Sequence, residues 1–287
     1  MGNKKYKLIA MDLDGTLLTD VKRVLKETYK DLDEAHQSFY LVGLTARTIT
    51  SVEKVIKLDT FDYIICNNGA DFYNCKTKEL RCENAIDKEK LKNLLDDYKE
   101  NIVAIDCCTP HYYYKSKFYI PFISFIKKYK SIDSISEDIS RINLYIKNNN
   151  IDKIENDLKS KYKDFNIYKM QDSKTTSQRL IITKSGIDKE LSLSKLLKQL
   201  KLKKEEAVFF GDGLNDISTL KSVGLGVAMK NALEEVKKAS NTITEKNNNN
   251  NGVGYFIRCN LLNYINPQIC GKNKKGRRKW KRNIILN

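Results

Sequence analysis

A short apolar run, Leu8-Ile9-Ala10-Met11, leads directly into two carboxylates two residues apart, Asp12 and Asp14, and then into Gly15-Thr16-Leu17-Leu18. The run reads as a buried strand. Like charges a few ångströms apart raise each other's pKa, and burial raises it further. The fold must therefore bring a cation or a shared proton to the end of this strand. The spacing suggests a magnesium site or an acid/base pair. Gly15-Thr16 permits a tight turn with backbone N–H groups facing whatever the carboxylates hold. A plain Asp-Gly turn would explain Asp14-Gly15 but not the whole heptapeptide.

The same kind of strand recurs. Phe39–Leu44 and Tyr63–Cys66 read as strands, separated by helical periodicity over Val24–His36 and Arg47–Leu58. Short strands alternating with helices imply a parallel, doubly wound α/β sheet, in which ligands sit beyond the C-terminal strand ends. Asp12, Thr45 and Asn67 all fall at such ends. Between about Arg81 and Gly186 the pattern changes. Helices at Asp87–Tyr98 and Ile151–Tyr162 are interspersed with strands at Ile102–Asp106, Ile142–Ile146, Phe165–Met170 and Gln178–Thr183, and with an apolar stretch at Tyr119–Ile126. This predicts an inserted α+β domain with antiparallel strands. Alternation then resumes with helices at Lys189–Leu200, Asn215–Ser222 and Ala232–Ala239 and strands at Ala207–Phe210 and Leu225–Ala228. The expected division is a discontinuous body of residues 1–81 and 187–265, an inserted domain of 82–186, and a disordered basic tail of 266–287.

The chain has 287 residues and a formal net charge of +16. Eight of the basic residues lie between Lys272 and Arg282 with no acid among them, so the rest of the chain is only mildly basic. Its remaining lysines read as solvated helix faces. Nucleic acid is not the expected partner, and the tail is the only hint of one. No apolar run approaches the ~18 to 20 residues of a membrane span. The seven cysteines, an odd number without a Cys-x-x-Cys pair, point to reduced thiols and a cytoplasmic location rather than a disulfide framework or zinc site. Five asparagines, Asn247–Asn251, read as an exposed loop.

A second acidic cluster, Gly211-Asp212-Gly213-Leu214-Asn215-Asp216, follows the strand at Ala207–Phe210. Asp212 and Asp216 are four apart at a strand-to-helix junction, where both carboxylates can face one ion. All-oxygen ligands favour magnesium over zinc. An Asx turn with helix capping would use the same residue types. Lys189 opens a helix after Gly186-Ile187-Asp188, a position where lysines usually reach solvent. Thr45, in Leu44-Thr45-Ala46-Arg47, could cap a helix or meet an anion at its N-terminus.

Taken together, the four segments resemble the haloacid dehalogenase superfamily of phosphatases, in the Cof-type branch with a type-IIB α+β cap. Asp12–Leu18, Thr45, Lys189 and Gly211–Asp216 stand in the order of that family's four motifs. Softer echoes are Asn67-Asn68-Gly69-Ala70, Val227–Ala232 and Asn251-Gly252-Val253. Ala46 stands where glycine is common, Glu190 follows Lys189 in place of another common glycine, and Thr219 replaces a frequent methionine.

The resemblance implies a magnesium-dependent hydrolase of small phosphate monoesters such as sugar phosphates, working through an aspartyl-phosphate. It implies Asp12 as nucleophile, Asp14 as general acid and base, and Asp12, the Asp14 carbonyl, Asp212 and Asp216 around the metal. Thr45, the Ala46 N–H and Lys189 would bind the phosphoryl group, with Asn215 in support. Phosphate transfer or mutation by the same nucleophile, or a non-catalytic binding protein on this scaffold, are the alternatives. A monomer or homodimer is expected. Tyr112-Tyr113-Tyr114 and Lys115, in the inserted domain, read as a surface aromatic cluster.

Overall fold

The computed structural model describes residues 5–116, 126–147, 150–171 and 178–262. The predicted tail, and all but the last residue of the Tyr119–Ile126 stretch, lie outside them.

Among the described residues fourteen strands form two sheets. The larger contains β1 (Leu8–Asp12), β2 (Tyr40–Leu44), β3 (Tyr63–Cys66), β4 (Asp71–Asn74), β5 (Glu79–Cys82), β12 (Ala207–Gly211), β13 (Leu225–Ala228) and β14 (Thr242–Ile243). Its spatial order is β14-β13-β12-β1-β2-β3-β4-β5. From β14 to β3 every pairing is parallel, and the β4–β5 hairpin extends the sheet antiparallel. All five residues of β1 and of β12 are buried, as expected of central parallel strands covered on both faces. The helices are α1 (Lys26–His36), α2 (Ile49–Val52), α3 (Lys88–Asp97), α4 (Ile151–Lys161), α5 (Lys189–Gln199), α6 (Ile217–Ser222), α7 (Glu234–Ala239) and α8 (Gly252–Phe256). Helix α1 buries Thr28, Asp31, Leu32 and Ala35, one stripe at helical spacing. The α/β class is as expected.

The second sheet is built from one continuous stretch. It contains β6 (Ile102–Cys108), β7 (Tyr113–Lys115), β8 (Ile126–Lys128), β9 (Arg141–Ile146), β10 (Phe165–Gln171) and β11 (Gln178–Lys184), in the order β10-β11-β9-β6-β7-β8. All its pairings are antiparallel except β7 with β8. Alternation sorts β9 into two faces: Ile142, Leu144 and Ile146 pack into an apolar cluster with Leu91 and Leu94 of α3 and Leu158 of α4. Arg141 and Asn143 face the other way. The larger sheet has its own cluster, which includes Met11, Leu44, Phe209 and Phe210 with Leu32 of α1 and Leu193 of α5.

Two expectations fail in detail, and one element is new. The helix predicted over Arg47–Leu58 is the single turn α2, because Thr48, Ile49, Thr50, Val52, Val55 and Ile56 are β-branched and lose side-chain freedom in a helix. The β4–β5 hairpin was not anticipated. It turns without glycine: Asn74 Oδ1 accepts from the N–H groups of Lys76 (3.0 Å) and Thr77 (3.1 Å), and Lys78 takes φ 59°. The asparagine run is not an exposed loop. Asn248 and Asn251 are buried at 5% and 2% exposure. Asn248 Nδ2 donates to the Leu18 carbonyl (3.0 Å) and Asp20 Oδ1 (3.1 Å), while Asn251 Nδ2 donates to Asp31 Oδ2 (2.9 Å).

All six described cysteines are free thiols. Among the described residues no helix is long and apolar enough to cross a membrane.

Candidate active site

Parallel pairing carries the ends of β1, β2, β3 and β12 to one edge of the larger sheet. Asp12 closes β1, Thr45 follows β2, Asn67 follows β3, and Asp212 follows β12. One carboxylate oxygen each from Asp12, Asp212 and Asp216 lies within 4.8 Å of the others. Lys189, the first residue of α5, is only 3% exposed. Its Nζ donates to Asp12 Oδ1 (2.5 Å) and Asp216 Oδ1 (2.7 Å). Asp188 caps α5 by accepting from the Leu191 N–H at 2.7 Å, which fixes the helix start and hence Lys189.

The two acidic loops are interlocked. Thr16 Oγ1 donates to Asp212 Oδ1 at 2.6 Å, and Asp216 Oδ2 accepts from the N–H groups of Asp212 (3.0 Å) and Gly213 (2.9 Å). Asn231 Nδ2 donates to the Gly15 carbonyl at 2.7 Å. Gly15 has φ 85°, and a Cβ there would lie 2.2 Å from Asp212 Oδ2. No other residue type fits this turn without moving the acid.

Electrostatics follow from that packing. Burial raises the Asp12 carboxyl well above its ordinary range; Lys189 opposes the shift, while Asp216 and Asp212 add to it. Burial also lifts Asp212 to about 6, against the Thr16 hydrogen bond and with help from Asp216. Burial alone would lower the Lys189 ammonium, but Asp12 and Asp216 outweigh it and keep it charged. Three acids against one ammonium leave two negative charges in excess, the charge of one divalent cation. The oxygen-only donor set and the raised carboxyls fit such an ion.

Asp14 stands apart. Its carboxylate accepts a two-pronged contact from Arg47, Nε at 2.6 Å and Nη2 at 2.8 Å, and a third bond from Lys22 Nζ at 2.6 Å. Burial pushes its pKa up, but Arg47 and Lys22 prevail and hold it at about 2. Thr45 is buried, and its hydroxyl accepts from the Arg47 N–H at 3.1 Å, so it has its own proton to give. Ala46 beside it is half-buried. Asn215 is exposed and, among the described residues, makes no hydrogen bond to Lys189. The two carboxylates do that positioning instead.

Sequence reasoning missed Arg47, Lys22 and Asn248 as parts of this edge. Arg47 carries a usable signal, a cation two residues beyond the strand-end threonine. It also missed how the second sheet meets the site. Asn68 Nδ2 donates to the Tyr168 hydroxyl (2.8 Å), Asn67 Nδ2 to the Thr109 carbonyl (3.1 Å), and the Ile49 N–H to the Pro110 carbonyl (3.1 Å). The Tyr113 phenol accepts from the Thr48 N–H, and Thr50 Oγ1 donates to the His111 carbonyl. Tyr113 is thus part of the contact between the sheets, not of a surface cluster.

Comparison with known proteins agrees with this geometry. Residues 9–257 match the haloacid dehalogenase-like hydrolase family. YcsE of Bacillus subtilis (strain 168), a 5-amino-6-(5-phospho-D-ribitylamino)uracil phosphatase, is 27% identical over 247 residues, which cover 84% of this chain and 90% of YcsE. YbhA of Escherichia coli (strain K12), a pyridoxal phosphate phosphatase, is 25% identical over 277 residues, covering 89% and 99% of the two chains. The crystal structure of a haloacid dehalogenase-like hydrolase from Bacteroides thetaiotaomicron has a TM-score of 0.75 at 28% identity and covers 88% of this chain and 98% of that one. With its strand-end acids, buried lysine and parallel sheet, this chain belongs to the haloacid dehalogenase-like hydrolases.

Proposed function

We propose that the chain is a magnesium-dependent phosphatase of small phosphate monoesters that works through an aspartyl-phosphate. One observation carries the reading: three strand-end carboxylates within 4.8 Å of one another share a single buried ammonium. Asp12, the Asp14 carbonyl, Asp212 and Asp216 would hold the ion. Bound there, magnesium supplies positive charge that lessens repulsion between carboxylate and phosphate and stabilises charge in transfer.

A carboxylate oxygen of Asp12 attacks phosphorus as the ester P–O bond breaks, and the leaving oxygen takes a proton from Asp14. Asp14 then removes a proton from water, which attacks the phosphorus of the aspartyl-phosphate. The bond to Asp12 breaks, phosphate leaves, and Asp12 is restored. Lys189, the Thr45 hydroxyl and the Ala46 N–H bind the phosphoryl oxygens. Asp14 can carry a proton only once Arg47 and Lys22 release it. The incoming phosphate offers those cations a competing anion.

Residues 1–81 and 187–265 serve in this reading as the catalytic body, and 82–186 as a cap that covers the site and reads the leaving group. YcsE and YbhA are named for phosphate esters of small heterocyclic metabolites, which supports a substrate of that size. Asp12→Asn should lower magnesium-dependent phosphate release from p-nitrophenyl phosphate by at least about a thousandfold while the protein remains folded. Substantial magnesium-dependent turnover by this variant would refute the mechanism.

A further inference from the structure

The second sheet presents a polar face to the catalytic loops, and one cation on it has no anionic partner among the described residues. Arg141 opens β9 opposite Cys108 of β6, on the face away from the apolar cluster. It is 6% exposed. Its one hydrogen bond runs from Nη2 to the Cys108 sulfur at 3.3 Å, a weak acceptor, and its Nε has no partner among the described residues. The acid on the same face, Asp106, is already engaged by Lys115 Nζ (3.2 Å) and the Tyr145 hydroxyl (3.1 Å). Two further buried oxygens on this face, Asn143 Oδ1 and Thr183 Oγ1, also lack partners among the described residues. Taking a guanidinium out of water without an opposing charge is costly, and buried cations are normally paired.

The location ties this cation to the site. The Tyr168 phenol bonds Asn68 at the end of β3 and feels the charges of both Arg141 and Lys189. The Tyr113 phenol bonds the Thr48 N–H and feels both Arg141 and Arg47. Both tyrosines within electrostatic reach of Arg141 thus touch loops that follow the strands of the site.

We infer that Arg141 is a specificity-determining residue that receives a second anionic group, a carboxylate or a phosphate, on the leaving group of the ester. The substrate then carries one anion for Lys189 and another for Arg141. The Thr183 hydroxyl has a proton to donate to the second. This rests on the phosphatase reading.

Two substrate pairs test it: 6-phosphogluconate against glucose 6-phosphate, and fructose 1,6-bisphosphate against fructose 6-phosphate. Turnover is read as kcat/KM, and binding is read by calorimetry on Asp12→Asn, which needs no chemistry. The member with the second anionic group in at least one pair should be preferred by roughly ten- to a hundredfold, and the pair that shows it distinguishes carboxylate from phosphate. Arg141→Met should bring that preference close to unity, and Arg141→Lys should retain part of it. The free Arg141→Met protein should melt within a few degrees of wild type, since no ion pair is lost. Equal handling of both members in both pairs, or an unchanged preference in Arg141→Met, overturns the inference. Selective binding without turnover would sustain it while refuting the phosphatase reading.

Discussion

Removing the buried ammonium tests the charge arrangement directly. In Lys189→Met, a change of similar volume, Asp12 and Asp216 lose the cation that contacts them at 2.5 and 2.7 Å. Breaking a buried pair by deleting one partner costs about 3–5 kcal/mol. At roughly 2 to 4 °C per kcal/mol for domains of this size, Tm in EDTA should fall by roughly 6–20 °C at pH 8. The loss must depend on pH. Asp12 has a folded pKa already above 3.8, and the variant raises it further by removing the ammonium that opposes the shift. Below 3.8 the acid is protonated in both folded and unfolded chains and costs nothing. Between 3.8 and the folded value the penalty grows, and above that value it is complete. The deficit relative to wild type should therefore shrink at pH 5, and magnesium at pH 8 should recover part of it. Calorimetric melting of both proteins at pH 5 and pH 8, with and without magnesium, provides the measurement. A deficit equal at the two pH values and insensitive to magnesium would refute the reasoning.

The wild-type site makes a related prediction. Because Asp212 sits at about 6 without metal, the magnesium-induced rise in Tm should grow between pH 5 and 7, and calorimetry in buffers of different ionisation heat should detect proton release near pH 6. Gly15→Ala forces a left-handed alanine, costing roughly 1–2 kcal/mol, and drives its Cβ into Asp212. Its kcat/KM should fall at least about tenfold, with a lower Tm. Asn248→Leu deletes the bonds to Leu18 and Asp20 and should cost about 1–3 kcal/mol in urea unfolding, whereas the exposed Asn249→Ala should stay within about 0.5 kcal/mol.

The strand-end acids were legible because their geometry is local. Asp12, Asp212 and Asp216 sit at fixed offsets from apolar strands, and parallel pairing delivers strand ends to one edge wherever the intervening chain goes. Lys189 was legible only through its family resemblance, since nothing local distinguishes it from a surface lysine. Arg47, Arg141 and Asn248 were not legible as site residues. Arg47 matters because Asp14 turns toward it, Arg141 because β9 opens opposite Cys108, and Asn248 because Leu18 and Asp20 approach from more than two hundred residues away. The failed helix after Thr45 had a local cause, its β-branched residues, which amphipathic spacing concealed. The α+β character of the inserted segment came through because its strands and helices keep distinct periods.

The split of the larger sheet imposes an order on synthesis. β1 pairs with β2 within the first part of the chain, yet its other edge stays open until β12 has been made. Thr16 waits 196 residues for Asp212, and Asp12 waits 177 for Lys189. At about 5–20 residues per second, that interval is on the order of 10 to 40 s. Throughout it the open edge of a short apolar strand and the uncompensated Asp12 are present in the emerging chain. The second sheet has no such wait, because all six of its strands come from 102–184 and can pair before β12 exists. The inserted segment therefore postpones closure of the sheet that carries the strand-end acids, and the nascent chain is most exposed to edge-to-edge aggregation in that interval.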